Sequence, residues 1–241
     1  MSGPSAVVFG ATGGIGTALV AQLAQSGNYT MLHAGGRRVV TSTPPGVLPF
    51  TFDLTNEASI AISAQAIGAQ GPVDLAIVAT GMLQEEGLQL PERTWRSLDP
   101  ATMERVFAIN TIGPAIVAKH FLPLMRRDAR SVFAVLSARV GSIGDNKLGG
   151  WHSYRASKAA LNMLVRNFAI ELKMHNPLGI VAAIHPGTVE TRLSRPFRRN
   201  VPSSQLFEPE RSAREIVKTL DRLTPNDSGG HFAWDGQRIP E

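Results

Sequence analysis

The chain has 241 residues, 43% of them hydrophobic and 18% charged, with no cysteine and a formal net charge of +5. That size and balance fit one α/β domain spanning residues 1–241 rather than a disordered chain. The lack of cysteine excludes disulfides and thiolate metal sites and fits a reducing cytoplasm.

The basic residues fall in small groups, Arg37-Arg38, Arg126-Arg127, Arg192 with Arg195, and Arg198-Arg199, not in an aromatic-interleaved stripe. The charge is therefore read as a solvated face or an anion site, with no nucleic-acid partner expected.

In chain order, the first strand is Ala6-Val7-Val8-Phe9, with no basic segment and long apolar run of a signal peptide before it. Gly10-Ala11-Thr12-Gly13-Gly14-Ile15-Gly16 follows directly, and then a helix over 14–26 with apolar Leu19, Val20 and Leu23 and with Gly27 at its C-cap. A dinucleotide's pyrophosphate needs backbone N–H donors and a helix N-terminus, and glycine lets the chain come close enough to supply them. The spacing Gly10-x-x-x-Gly14-x-Gly16 is wider than the common G-x-G-x-x-G, and tight turns use the same residues. Its place between a strand and an apolar-periodic helix is what marks it as a phosphate bed.

A second strand spans 29–34, and its end reads His33-Ala34-Gly35-Gly36-Arg37-Arg38 with no acidic residue before Asp53. A carboxylate there would take a ribose 2′-OH, whereas an arginine fork suits a 2′-phosphate. Arg37 and Arg38 thus point to NADP(H) in preference to NAD(H); the bland alternative is two solvated arginines.

Further strands are expected at 47–52, 73–79, 131–136, 180–185 and 231–234, and helices at 56–68, 101–127, 154–174 and 210–223. The strands read as continuous apolar runs, as strands buried on both faces do. The alternation predicts a single Rossmann-type, doubly wound parallel sheet of about seven strands with helices on both faces. Thr55–Glu57 starts the second helix, Asp99-Pro100 supplies an N-cap and a first-turn proline, and Pro209-Glu210 does the same for the last helix. No apolar run approaches the ~20 residues of a membrane span. The stretch from Gly187 to Phe207 has the length and composition of a mobile loop over a site.

Tyr154-Arg155-Ala156-Ser157-Lys158 opens the helix over 154–174, so the phenol and the ammonium share one helix face. A nearby cation favours phenolate and lowers the tyrosine pKa toward the working pH. The tyrosine then serves as proton donor to a carbonyl, or base for an alcohol, while hydride moves to or from a nicotinamide. The competing reading is an exposed helix carrying the two residues by chance.

Gly10-x-x-x-Gly14-x-Gly16, Asp53-Leu54, Asn110, Tyr154-x-x-x-Lys158 and Pro186-Gly187-Thr188 with Thr191 together resemble the short-chain dehydrogenase/reductase family, over essentially the whole chain. The segments 136–143 and 232–237 resemble its C-signal/sniffer-like carbonyl reductase branch more specifically. The resemblance implies Tyr154 as general acid/base and Lys158 as the residue that holds the nicotinamide ribose and depresses the Tyr154 pKa. It implies that Asn110 anchors a water relaying protons from Lys158, the alternative being a polar residue that kinks its helix.

By the same resemblance the cofactor lies against Gly10, Thr12, Gly13, Gly14, Ile15 and Gly16, against Asp53 and Leu54 at the adenine, and against Ala79, Thr80 and Gly81. Pro186, Gly187, Thr188 and Val189 border the nicotinamide, with Thr191 reaching its carboxamide or the phosphates. The implied protein is a cytoplasmic NADP(H)-dependent reductase of a small carbonyl or alcohol, with no metal and no membrane, pairing into homodimers or homotetramers through 101–127 and 154–174. The rival is a cofactor-binding regulatory or signalling protein of the same fold with little turnover.

Two departures from the family pattern stand out. Val78-Ala79-Thr80-Gly81 replaces the usual Asn-Asn-Ala-Gly, keeping the glycine but not the amides. Ala138 occupies the position of the serine that normally bonds the substrate carbonyl, with Ser137 one residue earlier and Ser142 four later. Because one residue along a strand reverses the side chain, Ser137 serves only if the strand end re-aims it. Ser137 is the first candidate for that role, Ser142 the second, and no serine the third.

Five histidines, at 120, 152, 175, 185 and 231, lack metal-ligand spacing. Trp151 reads equally as a substrate contact or as a lid on the helix. Trp234 reads as a core residue of the last strand, and Arg139 as an anion contact or an interface ion pair.

Overall fold

Every residue of β1 (Ser5–Phe9), β4 (Leu75–Val78) and β5 (Ser131–Leu136) is buried, as continuous apolar runs require of strands covered on both sides. The computed structural model describes residues 3–40, 43–83, 91–195, 202 and 206–241. With β2 (Met31–Gly36), β3 (Val47–Thr51), β6 (Gly179–His185) and β9 (His231–Ala233), these strands form one seven-stranded sheet in the order β3-β2-β1-β4-β5-β6-β9, parallel throughout.

Alternation along each strand sorts the core into two layers. Ala6, Val8, Ile77, Ala134 and Ile184 pack under α1 (Gly14–Ser26) and α6 (Pro209–Arg222). Val7, Phe9, Val78, Val135 and Ala183 pack on the other side, under α2 (Glu57–Gly68), α4 (Gly113–Phe121) and α5 (His152–His175).

The caps fall where side-chain chemistry places them. Gly27 takes φ 66° after α1, Asn56 accepts from the Ser59 N–H at the start of α2, and Asp99 accepts from Thr102 ahead of α3 (Pro100–Phe107).

Several boundaries differ from expectation. The second strand starts at Met31 and runs to Gly36, and Trp234 lies just past β9, half-buried and edge-on to Phe207. The helix expected over 101–127 is two helices, α3 and α4, joined by a π turn at Ala108–Ile112 and closed by a 3₁₀ turn at Leu122–Leu124. Pro114 has no N–H to give the carbonyl of Asn110, so the regular ladder cannot run through this point.

By length and composition, the combined run Pro100–Leu124 also meets the criterion for a membrane span, which the lack of a long apolar run did not anticipate. Here Val117, Ala118 and Phe121 pack into the layer over the sheet. Within the expected loop from Gly187 to Phe207, two short strands pair in parallel, β7 (Thr188–Val189) and β8 (Leu206–Phe207). The rest of that loop, including Arg198-Arg199, lies mostly outside the described residues.

Candidate functional site

The chain lays down β1, β2 and β3 toward one edge and then returns to place β4 on the other side of β1. The connections that leave the C-terminal ends of β1 and β4 therefore run to opposite faces of the sheet and open a crevice, the usual ligand position in such sheets. The glycine turn fills one lip of it. Gly10 takes φ 85°, and the N–H groups of Gly10 and Ala11 both donate to the Gly35 carbonyl, tying the turn to β2.

A β-carbon at Gly16 would lie 2.0 Å from the Gly10 carbonyl oxygen, and one at Gly10 would lie 3.1 Å from the Ala79 backbone. The turn after β4 thus abuts the turn after β1. Thr12, Gly13 and Gly14 are exposed, Ile15 is half-buried, and Gly13 caps α1 without a side chain, so the first N–H groups of that helix face the crevice. Thr191 reaches over from the segment after β6, with its methyl 2.8 Å from where a Gly14 β-carbon would be.

Tyr154 and Lys158 lie on the crevice side of α5, both buried. The Lys158 Nζ donates to the Leu136 carbonyl at 2.9 Å and stands 6.0 Å from the centre of the Tyr154 ring. A β-carbon at Gly81 would lie 3.7 Å from both that Nζ and the Asn110 Oδ1. Asn110 clamps Met82 from both sides, accepting from its N–H and donating to its carbonyl, each at 2.8 Å, and also donates to Ser157. Its side chain is thereby committed, while the π turn alters the pairing of its backbone carbonyl.

The electrostatics correct one expectation. Lys158 does not hold the Tyr154 phenol low in this arrangement; burial pushes the phenol up to about 12. Burial also brings the Lys158 ammonium down to about 7, so at neutral pH much of its charge is gone. Between that value and the ordinary lysine value near 10.5, the folded ligand-free chain binds fewer protons at Lys158 than the unfolded chain does.

Stability of the ligand-free protein should therefore rise with pH from about 7 toward 10 by an amount that Lys158→Met removes, on the order of 3 kcal/mol. Above 10 the sign reverses, because folded Tyr154 keeps its proton longer than an unfolded tyrosine. Urea midpoints across that range would show it; parallel profiles for wild type and Lys158→Met would mean the buried ammonium stays charged.

The serine question is answered by side-chain direction. Ser137 keeps the alternation of β5 and turns into the α5 layer, where its hydroxyl donates to Asn162 Oδ1 at 2.7 Å. The Asn162 amide in turn faces His231 Nδ1 at 3.4 Å. The next residue, Ala138, is the one that packs on Tyr154, together with Leu83, Val140 and Trp151. The structure thus does not bring the Ser137 hydroxyl to Tyr154, because no bulge re-aims it. Ser142 is buried as well, and its hydroxyl accepts from the Asp145 N–H at 3.0 Å.

At the adenine end the picture divides. Asp53 is exposed and accepts from the Thr55 N–H and hydroxyl, which with smaller contributions from Arg37 and Arg105 hold its carboxyl below the usual range. Leu54 is instead buried in the α2–α4 layer, where its side chain fills the space above Gly113. Arg37 and Arg38 are both exposed just beyond β2. On the opposite lip, the Pro186 carbonyl accepts from Ser212, and Gly187 takes φ 83° under the rings of Phe207 and Trp234. Thr188 is exposed and Val189 buried. Thr80 has a buried hydroxyl with no partner among the described residues, where the family pattern would place alanine.

Sequence reasoning missed three neighbours of this site. Asn162 lies one turn beyond Lys158 on the same face, and reading that face further would have found it. Arg105, on α3, acts on the Asp53 carboxyl. Glu92 is buried, accepts at its carboxylate from the Ser153 N–H at 3.3 Å and from the Ser153 hydroxyl, and accepts at its backbone from the Trp151 N–H at 2.6 Å. An isolated acidic residue after Pro91 carries no periodic signal of such a role. Arg139 pairs with Asp145 at 2.9 Å, and His185 and His231 are held neutral by burial, each brought down to about 4.

The profile of the family described as short chain dehydrogenase matches residues 4–202. C-signal of Myxococcus xanthus is 37% identical over 174 residues, covering 70% of this chain and 93% of that protein. A 1-hydroxy-2-glutathionyl-2-methyl-3-butene dehydrogenase of Rhodococcus sp. (strain AD45) is 34% identical over 196 residues, 80% of this chain and 77% of its own length. Among solved structures, the NADPH-bound carbonyl reductase from chicken fatty liver superimposes with a TM-score of 0.84 at 25% identity, covering 100% of this chain and 95% of that one.

Proposed function

The chain belongs to the short chain dehydrogenase family and is an oxidoreductase, and from that premise we propose that it is an NADP(H)-dependent carbonyl reductase working through Tyr154. The observation that carries the reading is the convergence around Gly81. There the turn after β4, the Asn110 π turn and the Lys158 ammonium meet beside a buried phenol at the mouth of the crevice. The glycine turn fits a pyrophosphate, since it closes to this tightness only while Gly16 lacks a side chain. When bound, the nicotinamide supplies hydride.

The chain's own groups then divide the remaining work. The backbone N–H groups of Thr12, Gly14, Ile15 and Gly16 hold the phosphates, on a turn that the N–H groups of Gly10, Ala11 and Gly13 brace. Asp53 edges the adenine, and Ala79, Thr80 and Gly81 line the path between the two ribose ends. Pro186, Gly187, Thr188, Val189 and Thr191 border the nicotinamide. Lys158 holds the ribose hydroxyls, and the Asn110 carbonyl, which Pro114 cannot cap, accepts from a relay water.

Tyr154 gives its proton to the carbonyl oxygen. With Ser137 committed to Asn162, the phenol acts as the polarising donor, and Ser142 is the remaining serine candidate. We take residues 1–241 as one cytoplasmic domain. Pairing through 101–127 and 154–174 fits Ile112 of the π turn and Met163, Ile170 and Met174 of α5, which are large, apolar and exposed.

NADP(H) preference rests on Arg37 and Arg38. Replacing both with alanine is expected to weaken NADPH roughly 10- to 100-fold, the worth of one or two charge-assisted hydrogen bonds, with NADH little affected. Equal NADPH and NADH affinities in the wild type would remove the preference.

The function itself is tested by NADPH oxidation against a broad panel of aldehydes and ketones, with cofactor binding followed alongside. Turnover supports the reductase. Binding without turnover favours the second reading, a regulatory or signalling protein, which the C-signal likeness and the methyl of Ala138 beside Tyr154 both favour.

A further inference from the structure

Trp151 is the one non-glycine residue with positive φ among the described residues, at φ 51° and ψ 45°. An indole there is a true outlier, since the left-handed region crowds any β-carbon. Two glycines lead into it, Gly149 at φ 64° and Gly150 at φ 67°, so the chain makes three left-handed steps before α5 begins. Glu92 holds the last step. Its backbone carbonyl takes the Trp151 N–H at 2.6 Å, and its buried carboxylate takes both the N–H and the hydroxyl of Ser153.

A buried carboxylate and a left-handed tryptophan are each unfavourable alone and persist where the surroundings over-determine them. Trp151 stands three residues before Tyr154, and the Glu92 carboxylate binds Ser153, its immediate neighbour. The outcome is a fixed indole, half-buried, with its ring centre 6.3 Å from that of Tyr154 and the two planes at 75°. Phenol and indole therefore form a corner, closed by the apolar side chains of Leu83, Ala138 and Val140.

Resting on the reductase reading, we infer that Trp151 is the specificity-determining wall of this site, and that the substrates are carbonyl compounds bearing a flat aromatic or conjugated group. Such a group lies along the indole while its carbonyl oxygen meets the Tyr154 hydroxyl. Glu92 acts through Trp151 and is a positioning residue.

The test uses a pair matched in size, benzaldehyde and cyclohexanecarbaldehyde, with NADPH. In Trp151→Leu the benzaldehyde-to-cyclohexanecarbaldehyde ratio of kcat/KM is expected to fall about 5- to 10-fold, while Trp151→Phe keeps most of it. Glu92→Gln is expected to lower the same ratio less, with the change in KM rather than kcat. It keeps the size of the side chain and serves if Trp151→Leu folds poorly. Comparing that ratio between variant and wild type cancels the difference in intrinsic reactivity between the two aldehydes. An unchanged ratio in both Trp151→Leu and Glu92→Gln would overturn the proposal while leaving the reductase standing. No turnover of any carbonyl by wild type would instead overturn the reductase reading on which it rests.

Discussion

Tyr154→Phe is expected to lower kcat for carbonyl reduction on the order of 10³-fold while NADPH affinity stays within a few-fold. The substitution removes one oxygen and keeps the ring against Leu83, Ala138 and Trp151, so packing is preserved and the loss isolates proton transfer. Burial, by pushing the phenol up to about 12, keeps it protonated across the neutral range. The proton donor for reduction is thus present at pH 7 without help. Alcohol oxidation needs the phenolate and should accelerate as pH rises, whereas Tyr154 imposes no pH dependence on reduction between pH 6 and 9. Stopped-flow and steady-state rates in both directions would read this. A Tyr154→Phe protein retaining a tenth or more of wild-type turnover would exclude the tyrosine as the acid.

Gly16→Ala is expected to cost about 3 kcal/mol or more of stability and to abolish measurable NADPH binding. The added methyl would stand 2.0 Å from the Gly10 carbonyl oxygen, 2.7 Å from its carbon and 3.1 Å from the Ala11 Cα, all backbone atoms that cannot swing aside. Relief requires opening the turn that Gly10 and Ala11 anchor to Gly35, and with it the phosphate bed. For a chain of this size the melting midpoint should drop by about 10 °C. Gly14→Ala is the internal control for stability, because its methyl would meet the side chains of Thr191 and Pro209 and no backbone, so its melting midpoint should fall far less. Wild-type melting and binding in Gly16→Ala would mean the turn is looser than its contacts require.

The comparison between these two sites shows where sequence is enough. The glycine turn was legible because its cause is local: the clash at Gly16 comes from a residue six positions earlier. The same holds for the caps at Gly27 and Asp99, and for the strands, whose apolar runs declare burial on both faces. Tyr154 and Lys158 share a face by helical spacing alone.

Ser137 was harder. Alternation correctly warned that it and Ala138 point opposite ways, but which of them met Tyr154 depended on Asn162, 25 residues downstream, which takes the Ser137 hydroxyl. The break in the long helix was half visible. Asn110 and Pro114 stand in the sequence, yet the clamp on Met82 that fills the gap spans 28 residues.

The sequence by itself determined the alternating architecture, the tight glycine turn and the shared face of Tyr154 and Lys158, because periodicity and steric clash act over a few residues. Only the tertiary structure decided that the Lys158 ammonium loses charge, that Ser137 turns away from the phenol, and that Glu92 pins Trp151 in a left-handed conformation 59 residues further along. Each of these depends on desolvation or on a hydrogen bond between distant segments, and neither exists until the sheet and its helices have closed around them.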